Sequence, residues 1–192
     1  MNNEEHFVTK DIKIKRALIS VTDKLDLEKI ANALVKNKIQ ILSTGGTAKY
    51  LKQNSIPVKE VSDQTKFPEI LDGRVKTLHP KIHGGILFKR NDSSHLKQLQ
   101  KHNIYEIDLL IINLYKFRET LQKTSNSRDI VENIDIGGPA MIRAGAKNHE
   151  FVTVVTDPYD YPELISQINH NGKIKYSLRK YLAAKAFRLT NE

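Results

Sequence analysis

Apolar positions fall into two alternating patterns along this chain. Short runs rich in β-branched residues read as strands: "RALISV" at 16–21, "IQILS" at 39–43, "VKEVS" at 58–62, "DLLIINLY" at 108–115 and "FVTVVT" at 151–156. "GILF" at 85–88 is a further candidate. Between these runs, apolar residues recur every three or four positions. Leu27, Ile30, Ala31, Leu34 and Val35 predict a helix over 25–37, and further helices are expected over 47–54, 93–103, 128–134, 138–146, 159–169 and 176–190. Strands alternating with helices imply an α/β fold around a mainly parallel sheet. Such sheets bind ligands beyond the carboxyl ends of their strands. The polar motifs follow that rule: "SVTDK" ends the first strand, "STGGT" the second and "NLY" the long one.

Composition narrows the function classes. The 192 residues suit one domain with a substantial core, and residues 1–13 read as a flexible amino-terminal arm. The absence of cysteine excludes disulfides, a Cys-ligated zinc and a thiol nucleophile. "MNNEEHFVTKDIKIK" lacks the apolar core of a signal peptide, and no run reaches the ~20 apolar residues of a spanning helix. The expectation is a cytoplasmic protein with no membrane partner. A net charge of +9 raises the question of nucleic acid, yet the lysines are spread out, without a basic block or interleaved aromatics. No nucleic-acid partner is expected, and an anionic small molecule remains.

Four stretches carry candidate chemistry. In "LSTGGTAKYL", Ser43, Thr44, Gly45, Gly46 and Thr47 lead from a strand into a helix. Backbone N–H groups at such a helix start suit a phosphate; they equally suit a tight turn capped by Thr47 or Ser43. It is neither a P-loop nor a dinucleotide fingerprint. "SVTDK" offers Ser20, Thr22 and Lys24, with Thr22 or Asp23 also fit to cap the next helix. "NIDIGGPAMIRAGAKN" sets Asp135 before two glycines and Pro139, which reads as a helix start with an acidic residue near the dipole or as a carboxylate orienting a substrate amine. "LDGRVKTLHPKIHGG" gathers Arg74, Lys76, Thr77, His79, Lys81 and His83. His79 and His83 have zinc-helix spacing, but without H-E-x-x-H and with Pro80, Gly84 and Gly85 around them no metal site is expected.

Taken in order, "SVTDK", "STGGTAKYL", "DGRVKTLHPKIHGGIL", "NLYKF" and "IDIGGPAMIRAGAKNH" resemble the inosine monophosphate (IMP) cyclohydrolase domain of the bifunctional PurH purine-biosynthesis family. The resemblance covers roughly residues 14–190. It implies a methylglyoxal-synthase-like (MGS-like) three-layer α/β sandwich with a central, mainly parallel sheet. The implied reaction is the last step of de novo purine synthesis, closure of 5-formamido-imidazole-4-carboxamide ribotide (FAICAR) to IMP with loss of water. No cofactor is implied for that step; 10-formyltetrahydrofolate serves a separate formyltransferase domain. By the resemblance, substrate contacts fall on Ser20, Thr22, Asp23 and Lys24, on Thr44, Gly45, Gly46 and Thr47, and on Arg74, Val75 and Thr77. They continue on Ile112 and Asn113 and on Ile136 and Gly137. The catalytic positions match Lys76, Tyr115, Asp135 and Lys147, with Lys147 as the proton donor and acceptor. "LRKYLAAKAFRLTNE" resembles the connection into the formyltransferase domain, so the cyclohydrolase domain is expected to span 14–175 and the connection 176–192. The resemblance implies a homodimer; much of that dimer contact involves the second domain, so a monomer is the alternative for this chain.

Two residues depart from the family pattern: Lys116 stands where proline is usual, and Gly145 where alanine or serine is commoner. Asp135 and Lys147 are twelve residues apart, about 18 Å along a straight helix, so the resemblance requires a break, with Gly145 as the candidate breaker. A nucleotide-binding regulatory module is the alternative on this fold. It needs the phosphate site but not the acid–base groups.

Overall fold

Why the strands read as unbroken apolar runs is evident in the computed structural model, which describes residues 10–114, 122 and 124–191. β2 (Arg16–Ser20), β3 (Gln40–Ser43), β4 (Lys59–Glu60), β5 (Leu109–Ile112) and β6 (Thr153–Val155) form a parallel sheet in the order β4–β3–β2–β5–β6. β2 lies at its centre, with Leu18 opposite both Leu42 and Leu110. Side chains alternate between faces, so β2, β3, β5 and β6 each feed two cores. Ala17, Ile19, Leu109 and Ile111 pack with α1 (Leu27–Lys36), α2 (Gly45–Gln53) and α8 (Tyr161–Asn171). Leu18, Leu42, Leu110 and Ile112 pack on the other side with α4 (Pro80–Leu87), α7 (Gly137–Lys147) and α9 (Tyr176–Leu189). The chain is therefore the expected three-layer α/β sandwich with a parallel central sheet. Among the described residues, no helix is long and apolar enough to cross a membrane.

At the amino edge of the sheet a carboxylate closes the core. Asp108 is fully buried; its Oδ2 accepts the Lys15 and Arg16 N–H groups at 2.7 and 2.8 Å, and Arg90 pairs with its Oδ1 at 2.6 Å. Charge-assisted bonds of this kind satisfy strand ends that the interior would otherwise strand without partners.

Several sequence expectations need correction. The third strand is only β4, because the chain turns at Val61 into α3 (Val61–Thr65). "GILF" is the end of α4 rather than a strand. Pro80 occupies the first turn, where its missing N–H costs nothing, and the His79 ring accepts the Lys81 N–H at 3.0 Å as a cap. Ile82 and Ile86, one turn apart, are buried in the core, and a methyl on Gly85 would meet the Tyr105 carbonyl oxygen at 2.3 Å. Residues 12–13, assigned to the arm, form β1 (Ile12–Lys13), antiparallel to β7 (Lys173–Ile174). The last helix, α9, is part of the domain rather than a connection beyond it, since Leu182, Ala183 and Ala186 are buried in the two cores. The required break in α7 is absent. Gly145 lies inside the helix, where an added Cβ would stand 2.5 Å from Leu110 Cδ1, so its role is close packing on β5.

Arg179 on α9 is completely buried. It donates to four backbone carbonyls, those of His149, Ile174, Lys10 and Glu150, at 3.0, 2.6, 2.9 and 2.9 Å. Burial lowers its pKa to about 10, and the Tyr176 ring lies 5.5 Å away. A planar fork with five donors suits such a cluster of acceptors. Arg179→Met removes this shared donor and is expected to cost about 3 kcal/mol in urea denaturation, with Arg179→Lys recovering less than half. Gly85→Ala gains about 1 kcal/mol of helix propensity but collides with fixed backbone. A net loss of about 2 kcal/mol is expected in the same measurement.

Candidate active site

The carboxyl ends of β2, β3 and β5, the 72–78 segment and the stretch joining α6 (Ser127–Glu132) to α7 enclose a cleft of about 730 Å³. One wall is the amino end of α2. Thr44, in extended conformation, makes no side-chain cap there, so the first-turn N–H groups remain open to an acceptor. Gly45 has φ +49°, a conformation that glycine adopts without strain. Two lysines border this wall. Lys24 Nζ contacts the Val21 carbonyl, and lies 3.3 Å from the Thr22 carbonyl and 3.4 Å from Thr47 Oγ1. Burial pushes its pKa below the ordinary lysine value, against an opposing pull from Asp23. Lys76 Nζ lies 3.3 Å from where a Gly45 Cβ would stand.

Two residues expected to bind substrate hold a loop in shape. Thr47 Oγ1 accepts the Val21 N–H at 3.1 Å and donates to the Val21 carbonyl at 2.9 Å. Asn113 Oδ1 accepts the N–H groups of Thr22 and Asp23 at 2.6 and 3.1 Å, and its Nδ2 donates to the Asp23 carbonyl at 3.0 Å. Asp23 Oδ1 in turn accepts the Leu25 N–H at 2.9 Å. The "SVTDK" loop is thus clipped from both sides at the floor of the cleft.

The opposite wall carries the carboxylate. Asp135 Oδ1 accepts the Gly138 N–H at 2.8 Å, anchoring the start of α7, while Oδ2 has no hydrogen-bond partner among the described residues. Thr77 Oγ1 stands 2.9 Å from the position of a Gly137 Cβ, an approach that only glycine admits. At the mouth, Arg74 forks onto Glu132 of α6, with Nε 3.2 Å from Oε2 and Nη2 on Oε1.

The cleft thus brings together Ser20, Thr22, Lys24, Thr44, Gly45, Gly46, Thr47, Arg74, Lys76, Thr77, Asn113, Asp135, Ile136 and Gly137. Asp23, Val75 and Ile112 do not line it; Asp23 caps its own turn, Val75 pairs with Ile70, and Ile112 is buried in β5. Lys147 is exposed at the far end of α7, an eleven-residue helix about 16 Å long. Within one copy of the chain it does not share a site with Asp135. Tyr115 and Lys116 lie outside the described residues. The sequence reading missed Glu132, Val131, Ile134 and Leu78 on the rim. Their signal is the exposure of Val131 and Ile134, 60% and 50%, apolar residues with no place in the core. The His79 ring is occupied as a cap, and burial lowers its pKa. Among the described residues, no group of three or more His, Cys, Asp or Glu is placed to hold a metal ion.

Comparison with known proteins identifies the family. The MGS-like domain family model matches residues 26–140, and that of the AICARFT/IMPCHase bienzyme matches 145–192. The chain is 53% identical over 180 residues to the bifunctional purine biosynthesis protein PurH of Agrobacterium fabrum, covering 93% of this chain and 34% of that protein. It is 52% identical over 190 residues to PurH of Brucella ovis, covering 98% and 35%. It spans about a third of the length of these curated relatives. The crystal structure of ForH superposes with a TM-score of 0.83 at 32% identity, over 92% of this chain and 91% of that one. With more than half of its residues matched by one family model, the chain belongs to the MGS-like domain family.

Proposed function

We propose that this chain closes FAICAR to IMP. The observation that carries the reading is the two-sided cleft, with an uncapped helix start and Lys24 on one wall, Asp135 with Thr77 on the other, and Lys76 at the edge between them. The first wall suits the 5′-phosphate, which draws on the α2 N–H groups and Lys24. The imidazole ring then spans the cleft towards Asp135, against the apolar rim of Val131, Ile134 and Ile136.

Closure joins the carboxamide nitrogen to the formyl carbon and expels the formyl oxygen as water. One hydrogen of that water comes from the carboxamide nitrogen and the other from the formamido nitrogen. The step changes no oxidation state and requires no cofactor. An amide nitrogen is a weak nucleophile, so the site must remove its proton and stabilise charge on the formyl oxygen. Asp135, with one oxygen held by Gly138 and the other without a partner among the described residues, takes the proton. Lys76 supplies positive charge to the oxygen. A purely regulatory nucleotide module has no use for this carboxylate opposite the phosphate wall. The PurH relatives, named for purine biosynthesis, support the enzymatic reading.

Formation of IMP from FAICAR, followed by absorbance, tests the proposal. Lys76→Met and Asp135→Asn are each expected to lower kcat by about 10²-fold. Binding of IMP by the wild-type chain without any turnover would favour the regulatory module instead. Lys147→Ala discriminates further: a loss as large as that of Asp135→Asn would mean that the ammonium enters from a second copy, because α7 keeps it out of its own cleft.

Affinity for IMP should also depend on pH through Lys24. Its pKa in the free protein is lowered, and only the charged form attracts the phosphate. Affinity is therefore full below that lowered pKa and declines as pH rises through it, before an ordinary lysine would titrate. Calorimetric titration across alkaline pH should show this decline, and Lys24→Met should abolish it while weakening binding throughout.

A further inference from the structure

Lys76 runs through a channel fitted to it. A methyl on Gly73 would stand 2.5 Å from Lys76 Cε and 2.9 Å from Nζ, and one on Gly45 would stand 3.3 Å from Nζ. Both glycines have positive φ, +85° and +49°. The ammonium therefore sits beside the amino end of α2, where the helix dipole repels a cation. A counter-charge is needed to keep it there while the cleft is empty.

Glu69 is placed to provide one. Ile70 and Val75 form an isolated antiparallel bridge, closed by N–H···O contacts of 3.2 and 3.4 Å. The register sets Glu69 directly opposite Lys76, the arrangement in which opposite charges attract most across paired strands. Glu69 Oε2 lies 3.6 Å from Lys76 Nζ, and both side chains are about one-third exposed, at 36% and 35%. Glu69 does not line the main cleft. It lines a smaller hollow behind it, together with Lys49, Lys52 and Glu60. Lys52 is paired there with Glu60.

We propose that Glu69 is the positioning residue for Lys76: acting across the Ile70–Val75 bridge, its carboxylate fixes the ammonium between Gly45 and Gly73 at the edge of the cleft. The assignment of substrate rests on the proposed function above, whereas the holding of Lys76 in the free protein does not. Glu69 touches no substrate. It acts through Lys76 alone, so its removal should matter only while Lys76 is present.

Two measurements on the full chain test this, after thermal denaturation has shown each variant folded. Lysine ammonium groups in ligand-free, ¹⁵N-labelled protein are observed by NMR at low temperature, with the Lys76 signal assigned by its loss in Lys76→Met. A held ammonium gives a slowly exchanging signal. It should vanish in Glu69→Gln, return largely in Glu69→Asp and persist in Lys49→Met, which removes another cation of the same hollow. In turnover of FAICAR, Glu69→Gln should lower kcat by about tenfold with a smaller change in KM, as expected for a misplaced donor. It should cost nothing further in the Lys76→Met background. The proposal is overturned if wild-type protein shows no held Lys76 signal, if Glu69→Gln leaves that signal unchanged, or if its kinetic cost is the same with and without Lys76. Failure of the wild-type chain to form IMP would sink the functional reading instead, and the ammonium signal would then decide on Glu69 alone.

Discussion

The placement of β2 between β3 and β5 is the constraint on which the rest depends. From β2 the chain moves outward to β3 and β4 on one side, then returns to β5 and β6 on the other. The loops that leave β2 and β5 must therefore diverge, and a crevice opens between them at the carboxyl edge of the sheet. Both faces of the sheet are covered by helices, so the open carboxyl edge is where a ligand can reach the backbone. The register that buries Leu18 between Leu42 and Leu110 also brings Ser20 level with Ile112, immediately before Asn113. Packing of the core and assembly of the cleft are thus two results of one strand order.

Within the crevice, charge is divided between its walls. Cations and helix N–H groups gather at α2, and the carboxylate stands at the start of α7. Glycines set the distances: Gly45 and Gly73 admit Lys76, Gly137 admits Thr77, and Gly138 lies so close to Asp135 that a Cβ there would stand 2.5 Å from Oδ2. Backbone without side chains lets these polar groups approach more closely than a Cβ would allow. The electrostatic asymmetry gives the two walls of the cleft opposite polarity.

Much of this was legible in the chain itself. Buried parallel strands announce themselves as apolar runs, and the motifs after β2, β3 and β5 led directly to the cleft. Failures arose where local signals competed. Gly84, Gly85 and Pro80 look like helix breakers, yet Pro80 starts α4 and Gly85 lets it press on the Tyr105 carbonyl. Arg179 falls in the segment expected to be a connection, and nothing local reveals the four carbonyls that it meets. Glu69 and Glu132 carry no motif; their partners Lys76 and Arg74 are seven and fifty-eight positions away. For Lys147, resemblance supplied a residue type, and the unbroken helix α7 places it away from the cleft within a single copy.

Asn113 has a consequence for the order of events in folding. It follows β5, and the loop it clips follows β2, about ninety positions earlier in the chain. The floor of the cleft therefore has no defined shape until the two halves of the sheet have zipped together. Closing so long a loop is entropically unfavourable and belongs late in assembly. A formed cleft is then a sign that the chain has already passed its hardest topological step.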